Sequence, residues 1–238
     1  MISVREGPNS RQAFDAMKIM YKKNNLTADA FYGYHVKNRF GNFNDNMETD
    51  TKLFGFYSSV KGVKYLGNID VYFFNIQKSN STYNTVSGEE NRNTVGSRIW
   101  GAFSNWNYDM EAAYQFGKFD RKNIRVFTFS INNFFNYKLN NRIQKIGFKT
   151  EYISGDKMQN DGYVGTFNPL FPRGAYFGLA ALIGPSNLIY VHPFLEFHLT
   201  QKLNFNIDYD MFWRASENDA VYQPNVSVLF NSSESTSR

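Results

Sequence analysis

The stretch WNYDMEAAYQFG, residues 106–117, decides the fold. Its even positions (Trp106, Tyr108, Met110, Ala112, Tyr114, Phe116) are apolar or aromatic, and its odd positions (Asn107, Asp109, Glu111, Ala113, Gln115, Gly117) are polar or small. Side chains on a strand alternate faces with period two, so the segment has one oily face and one wet face. Its length of 12 residues exceeds the usual soluble strand and suits a tilted bilayer crossing. Aromatics stand at both ends of the oily face, where membrane interfaces would lie. Taken alone, the stretch reads equally as a sandwich strand facing a soluble core; the rest of the chain separates the two.

Composition favours the membrane. Aromatics make up 18% of residues, with 24 Phe and 16 Tyr, yet mean hydropathy is −0.50. That combination fits a transmembrane barrel, because half of each strand faces water. No segment reaches the about 18 apolar residues of a membrane helix; residues 175–191 come nearest and are broken by Gly178, Gly184, Pro185 and Asn187. The chain has no cysteine, which excludes disulfides, thiolate zinc sites and thiol nucleophiles. The net charge of +5 points to anionic partners without choosing among them. Residues 1–20 contain no apolar run of the kind that marks a signal peptide.

Amphipathic strands follow in series: residues 14–22, 26–37, 53–60, 65–76, 94–103, 106–117, 124–137, 143–152, 189–199 and 203–213, with residues 221–230 starting one more. The polar stretches 38–50, 77–91 and 154–188 read as long loops; those at 23–25, 61–64, 104–105, 138–142 and 200–202 read as short turns, with a modest turn at 118–123. Short connections on one rim and long ones on the other are the layout of an outer-membrane barrel. Register agrees. With Ser104-Asn105 as the turn, Phe103, Ile99 and Val95 oppose Trp106, Met110 and Tyr114; with a turn over 200–202, Leu199, Phe197 and Leu195 oppose Leu203, Phe205 and Ile207. A one-residue slip would set every oily side chain against a polar one.

The most distinctive string is GTFNPLFPRGAYFG, residues 165–178, whose two prolines and three glycines make a shaped loop that folds over or into the barrel mouth. It resembles the alginate export family of bacterial outer-membrane barrels. So do VREGPN (4–9), EAAYQFG (111–117), SGD (154–156), LIGPSNL (182–188) and the segment HPFLEFHLTQKLNFNIDYDMFWR (192–214). The likeness is colinear over nearly the whole chain. It departs at both ends, where the family's signal peptide, early strands and closing strands have no counterpart. The expectation is therefore an all-β, antiparallel transmembrane barrel, incomplete, with about ten or eleven strands. It forms one domain over residues 1–238, with 154–188 as an extracellular or lumen-folding loop, and is a piece of a longer gene product.

The resemblance implies a channel in the outer membrane of a Gram-negative bacterium for an acidic polysaccharide, whose carboxylates meet pore bases. Strand parity places Lys18, Lys37, Arg98, Lys145, Lys149 and Arg214 on the wet face, with Arg5, Arg11 and Arg173 on loops or strand ends. Of these, Arg5, Arg11, Arg98, Lys149, Arg173 and Arg214 are the candidate substrate-binding bases; arginine's planar fork suits carboxylates. The same face carries Asp29, Asp70, Asp109, Glu111, Glu151, Glu196, Asp208 and Asp210. Asp109, Glu111, Glu151 and Asp210 are the acids expected to pair with the bases, and most wet-face bases are then ladder partners holding the wall. Arg98 is expected to hold Glu111, directly across the turn.

Enzymatic readings find little. His35, His192 and His198 face the wet side, and His192 lies opposite Asp210, but no serine elbow accompanies them. The acid-rich residues 87–91 lack the ordered spacing of a calcium cage. No metal, cofactor or nucleic acid is implied. The expected partners are an anionic polysaccharide or other anionic solute and outer-membrane lipid. Two alternatives stay open: a general or differently selective porin, since fold does not fix substrate, and a barrel serving as an adhesion or structural module.

Overall fold

The computed structural model describes residues 12–37, 41, 46–139, 142–173, 176–178 and 181–232. They are built from strands, and no helix among them is long and apolar enough to cross a membrane. The strands are β1 Phe14–Lys23, β2 Leu26–Lys37, β3 Asn46–Val63, β4 Gly67–Tyr83, β5 Val86–Phe103, β6 Trp106–Phe119, β7 Lys122–Leu139, β8 Arg142–Ile153, β9 Tyr163–Val164, β10 Leu188–His198, β11 Asn204–Asp208, β12 Met211–Arg214, β13 Val221–Tyr222 and β14 Val228–Phe230. β1 to β12 form one 12-stranded sheet, running β1 through β8 and then β10 and β11 in sequence order. Every neighbour along that path is antiparallel. β12 continues the register of β11 against β10, so the two act as one broken stave. β1 and β11 are the edges of the sheet.

Tight turns set the register. Asn24, Asn84, Ser104 and Asp120 each open a two-residue turn at φ of 50°, 51°, 54° and 49°. Such left-handed turns match the twist of the flanking strands, and Asn and Asp tolerate that backbone better than most side chains. The pairs Phe103–Trp106, Ile99–Met110, Val95–Tyr114, Phe197–Phe205 and Leu195–Ile207 all form as the sequence requires. Gly117, at φ 144°, passes so close to β5 that a Cβ there would stand 2.1 Å from the Asn91 carbonyl oxygen.

The sheet has one apolar and one polar face. Phe54, Phe56, Val71, Val95, Tyr114, Phe116, Phe127, Phe129, Phe148 and Ile207 stand exposed on the first. On β6 this band runs from Trp106 to Phe116, then gives way to Lys118. Past Phe73, Val95 and Phe127 the same face carries Asn75, Asn93 and Arg125. An apolar band of about 9–11 residues per strand, facing outward and uncovered, is what lipid requires.

Four expectations are corrected. Residues 77–91 do not form a long loop: β4 and β5 continue through them to the turn at Asn84-Thr85. They lie past the apolar band, where both faces can be polar, so no hydrophobic alternation marks them as strand. Side-chain bonds replace it: Asn75 donates to Asn91 and Asn93, each at 2.9 Å, and Thr82 meets Ser87 at 2.7 Å. Residues 221–230 do not begin a further stave but fold into the separate β13–β14 hairpin. Its turn at Pro224-Asn225 closes through Gln223 N–H to the Ser227 carbonyl at 2.8 Å. The turn at 118–123 shortens to Asp120-Arg121, and β3 begins at Asn46, inside the expected loop 38–50; most of the rest of that loop lies outside the described residues.

The segment between β8 and β10 packs against the polar face. β9 pairs in parallel with β7, and Phe167 and Leu170 are buried. Phe171 lies edge-on to Phe14 of β1 at 4.9 Å and stacks on His35 of β2 at 5.9 Å. One connection thus spans the face from β8 to the β1 edge.

Candidate functional site

Antiparallel register lines up the polar face in rungs. One runs Asp70–Arg98–Glu111–Ser130–Glu151–Tyr190–Phe212 across β4 to β12. The next runs Trp100–Asp109–Asn132–Lys149–His192, and the next Asn107–Phe134–Gly147–Phe194–Asp208. After it comes Asn136–Lys145–Glu196–Asn206. The wet-face bases and acids inferred by parity on these strands share this face.

Most of these charges are matched within the wall. Lys18 pairs with Asp29 at 2.8 Å and Lys145 with Glu196 at 2.7 Å. Arg98 binds Asp109 through two nitrogens, at 2.6 and 2.5 Å, and its third nitrogen lies 3.7 Å from Asp70. Asp70 also accepts from Tyr57 at 2.7 Å and from the Trp100 indole at 3.0 Å. Glu111 is not the partner of Arg98: it accepts the Tyr72 hydroxyl at 2.5 Å. Arg98 takes the diagonal acid because Asp109 meets both faces of its fork, and two parallel bonds outweigh one.

The other expected pairings also redistribute. Glu151 accepts the Tyr176 hydroxyl at 3.2 Å. Asp210 accepts from Tyr190 at 2.7 Å and meets His192 at 2.5 Å, as expected for the histidine. Of the four acids, only Asp109 pairs with a candidate base among the described residues. Arg214 is buried and donates to the Glu217 carbonyl at 3.1 Å, so it braces a loop and does not face the open wall. Arg5 and Arg11 lie outside the described residues.

Two candidate bases have no acid in ion-pair contact among the described residues. Lys149 stands over the Phe194 ring at 5.7 Å; its charge reaches Asp210, whose oxygen His192 and Tyr190 already hold. Arg173 is exposed and lines a cavity of about 300 Å³ with Glu111, Glu151, Tyr176, Pro169 and Pro172. His192, Asp208 and Asp210 bring potential metal ligands within 4.8 Å of one another, but Asp210 is already a hydrogen-bond hub.

A second polar centre escaped sequence reading. Glu90 and Arg92 are fully buried and ion-paired. Glu90 also accepts from Tyr83 at 2.7 Å and Ser81 at 2.5 Å. Arg92 donates to Gln115 at 2.8 Å and to the Thr166 carbonyl at 3.1 Å. Gln115 in turn donates to the Asn168 carbonyl at 2.6 Å, and Asn168 donates to Tyr83 at 2.9 Å. This network fastens residues 166–168 to the wall. Its members sit in stretches read as loop or as plain wall; an acid two residues from a base on one strand face was the available signal.

Further out, Asp219 accepts the Asp156 N–H at 2.8 Å, the Thr166 hydroxyl at 2.6 Å and the Tyr222 hydroxyl at 2.7 Å. Burial pushes the Asp219 carboxyl up against the pull of these donors. Asp156 beside it rises to about 6, through burial first and the Asp219 charge second. The segments 154–168 and 215–222 are thereby tied together.

A sheet of amphipathic staves, oily outside and charged inside, with one connection laid across the inner face, defines the wall of an outer-membrane β-barrel. A family model described as alginate export matches residues 1–237. The chain belongs to the alginate export family, outer-membrane barrels of alginate-type polysaccharide transport. No curated protein matches the sequence.

Proposed function

We propose that this chain builds the wall of an outer-membrane channel that passes an anionic solute, an acidic polysaccharide such as alginate, by passive diffusion. It works without cofactor or catalysis, binds no nucleic acid, and contacts outer-membrane lipid through its apolar face. Residues 154–188 form the loop that lies in the lumen and narrows it. The observation that carries anion preference is the pair of bases left over. The wall is mixed in sign: among the described residues Lys18, Arg98 and Lys145 are ion-paired with acids and Glu111 and Glu151 are bonded to tyrosines, whereas Lys149 and Arg173 have no acid in ion-pair contact. An exposed base inside a narrow, low-dielectric passage attracts carboxylates more strongly than it would in bulk water.

The test is current through single channels of the full protein in a planar bilayer. The expected results are an anion-shifted reversal potential and transient blockade by uronate oligomers. Neutral oligosaccharides of equal length should block far less. Cation preference with no response to uronate oligomers sinks the proposal, and absence of current points to an adhesion or structural module.

A further inference from the structure

The unmatched base Lys149 sits in a setting that asks for more than an anion. Its rung neighbours are Asn132 on β7 and His192 on β10, and the next rung places Phe134, Gly147, Phe194 and Asp208 beside it. All of these but Gly147, with Lys145, Glu196 and Asn206, line a cavity of about 400 Å³, within the size range of small-ligand sites. Gly147 shapes it: a Cβ at that position would lie 2.5 Å from the Phe194 ring and 2.7 Å from the Phe134 Cβ. The ring therefore settles into space that a side chain at position 147 would take, remaining half-buried and lining the cavity.

The polar groups around the cavity fall into two kinds. Glu196 is held by Lys145, and Asp210 by His192 and Tyr190. Lys149 has no acid in ion-pair contact, Asp208 has no base in ion-pair contact, and the buried Asn132 Oδ1 has no donor, all among the described residues. A cation, two unused acceptors and an aromatic ring converge on one space.

We propose that this cavity is a subsite for a single uronate residue of a polysaccharide. The carboxylate meets the Lys149 ammonium, sugar hydroxyls donate to Asn132 Oδ1 and the Asp208 carboxylate, and the C–H face of the pyranose lies on the Phe194 ring. An aromatic face is electron-rich and attracts the polarised C–H bonds of a sugar, and a hydroxyl given to a carboxylate is a charge-assisted bond. Inorganic anions and acidic peptides satisfy only Lys149; neutral sugars leave it unpaired. The subsite rests on the channel reading above and adds ring recognition to it.

The test measures blockade lifetimes in single channels of the full protein, with a uronate tetramer against oligoglutamate of equal charge. Phe194→Leu should shorten uronate blockades about tenfold, equivalent to about 1.4 kcal/mol, and leave oligoglutamate blockades and the reversal potential unchanged. Phe194→Tyr should restore the native lifetime. Asn132→Ala should repeat the uronate-selective loss without touching the ring, and Lys149→Ala should shorten blockades by both anions. If Phe194→Leu and Asn132→Ala alter both anions alike, or neither, the subsite is refuted while the channel stands. If the native channel answers neither anion, the channel reading falls and the subsite with it.

Discussion

Arg98 and Glu111 stand directly opposite each other across β5 and β6, yet do not bond: the guanidinium forks onto Asp109 one rung away, and Glu111 takes the Tyr72 hydroxyl. Register places two residues face to face, and the reach of their side chains decides whom they hold.

This relationship changes which acid governs the Arg98 charge. Asp109→Asn should release the guanidinium and shift the reversal potential toward anions, whereas Glu111→Gln should move it little. Arg98→Ala removes the cation that sits between Asp109 and the 3%-exposed Asp70 side chain. It should cost about 1–3 kcal/mol, the range for disturbing a buried acceptor, and shift selectivity toward cations most at low salt, where screening is weak. Equal effects from Asp109→Asn and Glu111→Gln would contradict the pairing.

The buried pair Glu90–Arg92 should behave as a fastener whose halves cannot be removed singly. Arg92→Met should destabilise the fold by about 3–5 kcal/mol, because it strands a carboxylate. The double variant Glu90→Leu with Arg92→Met should recover most of the loss. Unfolding midpoints of detergent-solubilised protein, read as heat-modifiable migration, check both.

Protonation should tighten the contact between residues 154–168 and 215–222. Asp156, raised in the fold to about 6, favours the folded state in its neutral form. Its stabilising contribution is complete below the unfolded value of about 4 and is lost as pH rises through 6. Asp219 is raised too and acts in the same direction. Hydrogen exchange across residues 154–168, corrected for intrinsic rate, should show more protection at pH 4 than at pH 7. Asp156→Asn should flatten that difference; a pH response that persists unchanged in the variant would assign it elsewhere.

The two ends of the staves face opposite sides of the membrane. Cysteines at Asn25, Tyr65, Ser104 and Gln201 should label as one group in intact cells, and those at Thr85, Arg121 and Asp161 as the other. A mixed pattern is incompatible with the strand order β1 to β8.

The membrane-level pattern was legible because lipid forces it. Where one face meets hydrocarbon, alternation is obligatory, so Trp106–Gly117 announced its strand, and the turns at Ser104-Asn105 and 200–202 announced their registers. Beyond the lipid that constraint lapses, and residues 77–91, strand in fact, read as loop. The contrast between long and short loops rested partly on that stretch; the ends are told apart by chain direction instead. Parity assigned residues to the polar face but could not choose between straight and diagonal partners, as Arg98 shows. Nor could it see that Arg214 is buried by residues 217–219, since that burial depends on a connection folding back.

The height of β4 and β5 has a mechanical consequence. At 17 and 18 residues and about 3.3 Å per residue, each strand is far longer than the about 10 residues a bilayer crossing needs. The surplus beyond Phe73 and Val95 is stitched by Asn75, Asn91 and Asn93 and buttressed by Arg92. It stands as a rigid half-chimney on the rim. In the proposed channel, a polymer leaving along this side would be released several residues' rise above the lipid surface, clear of the headgroups.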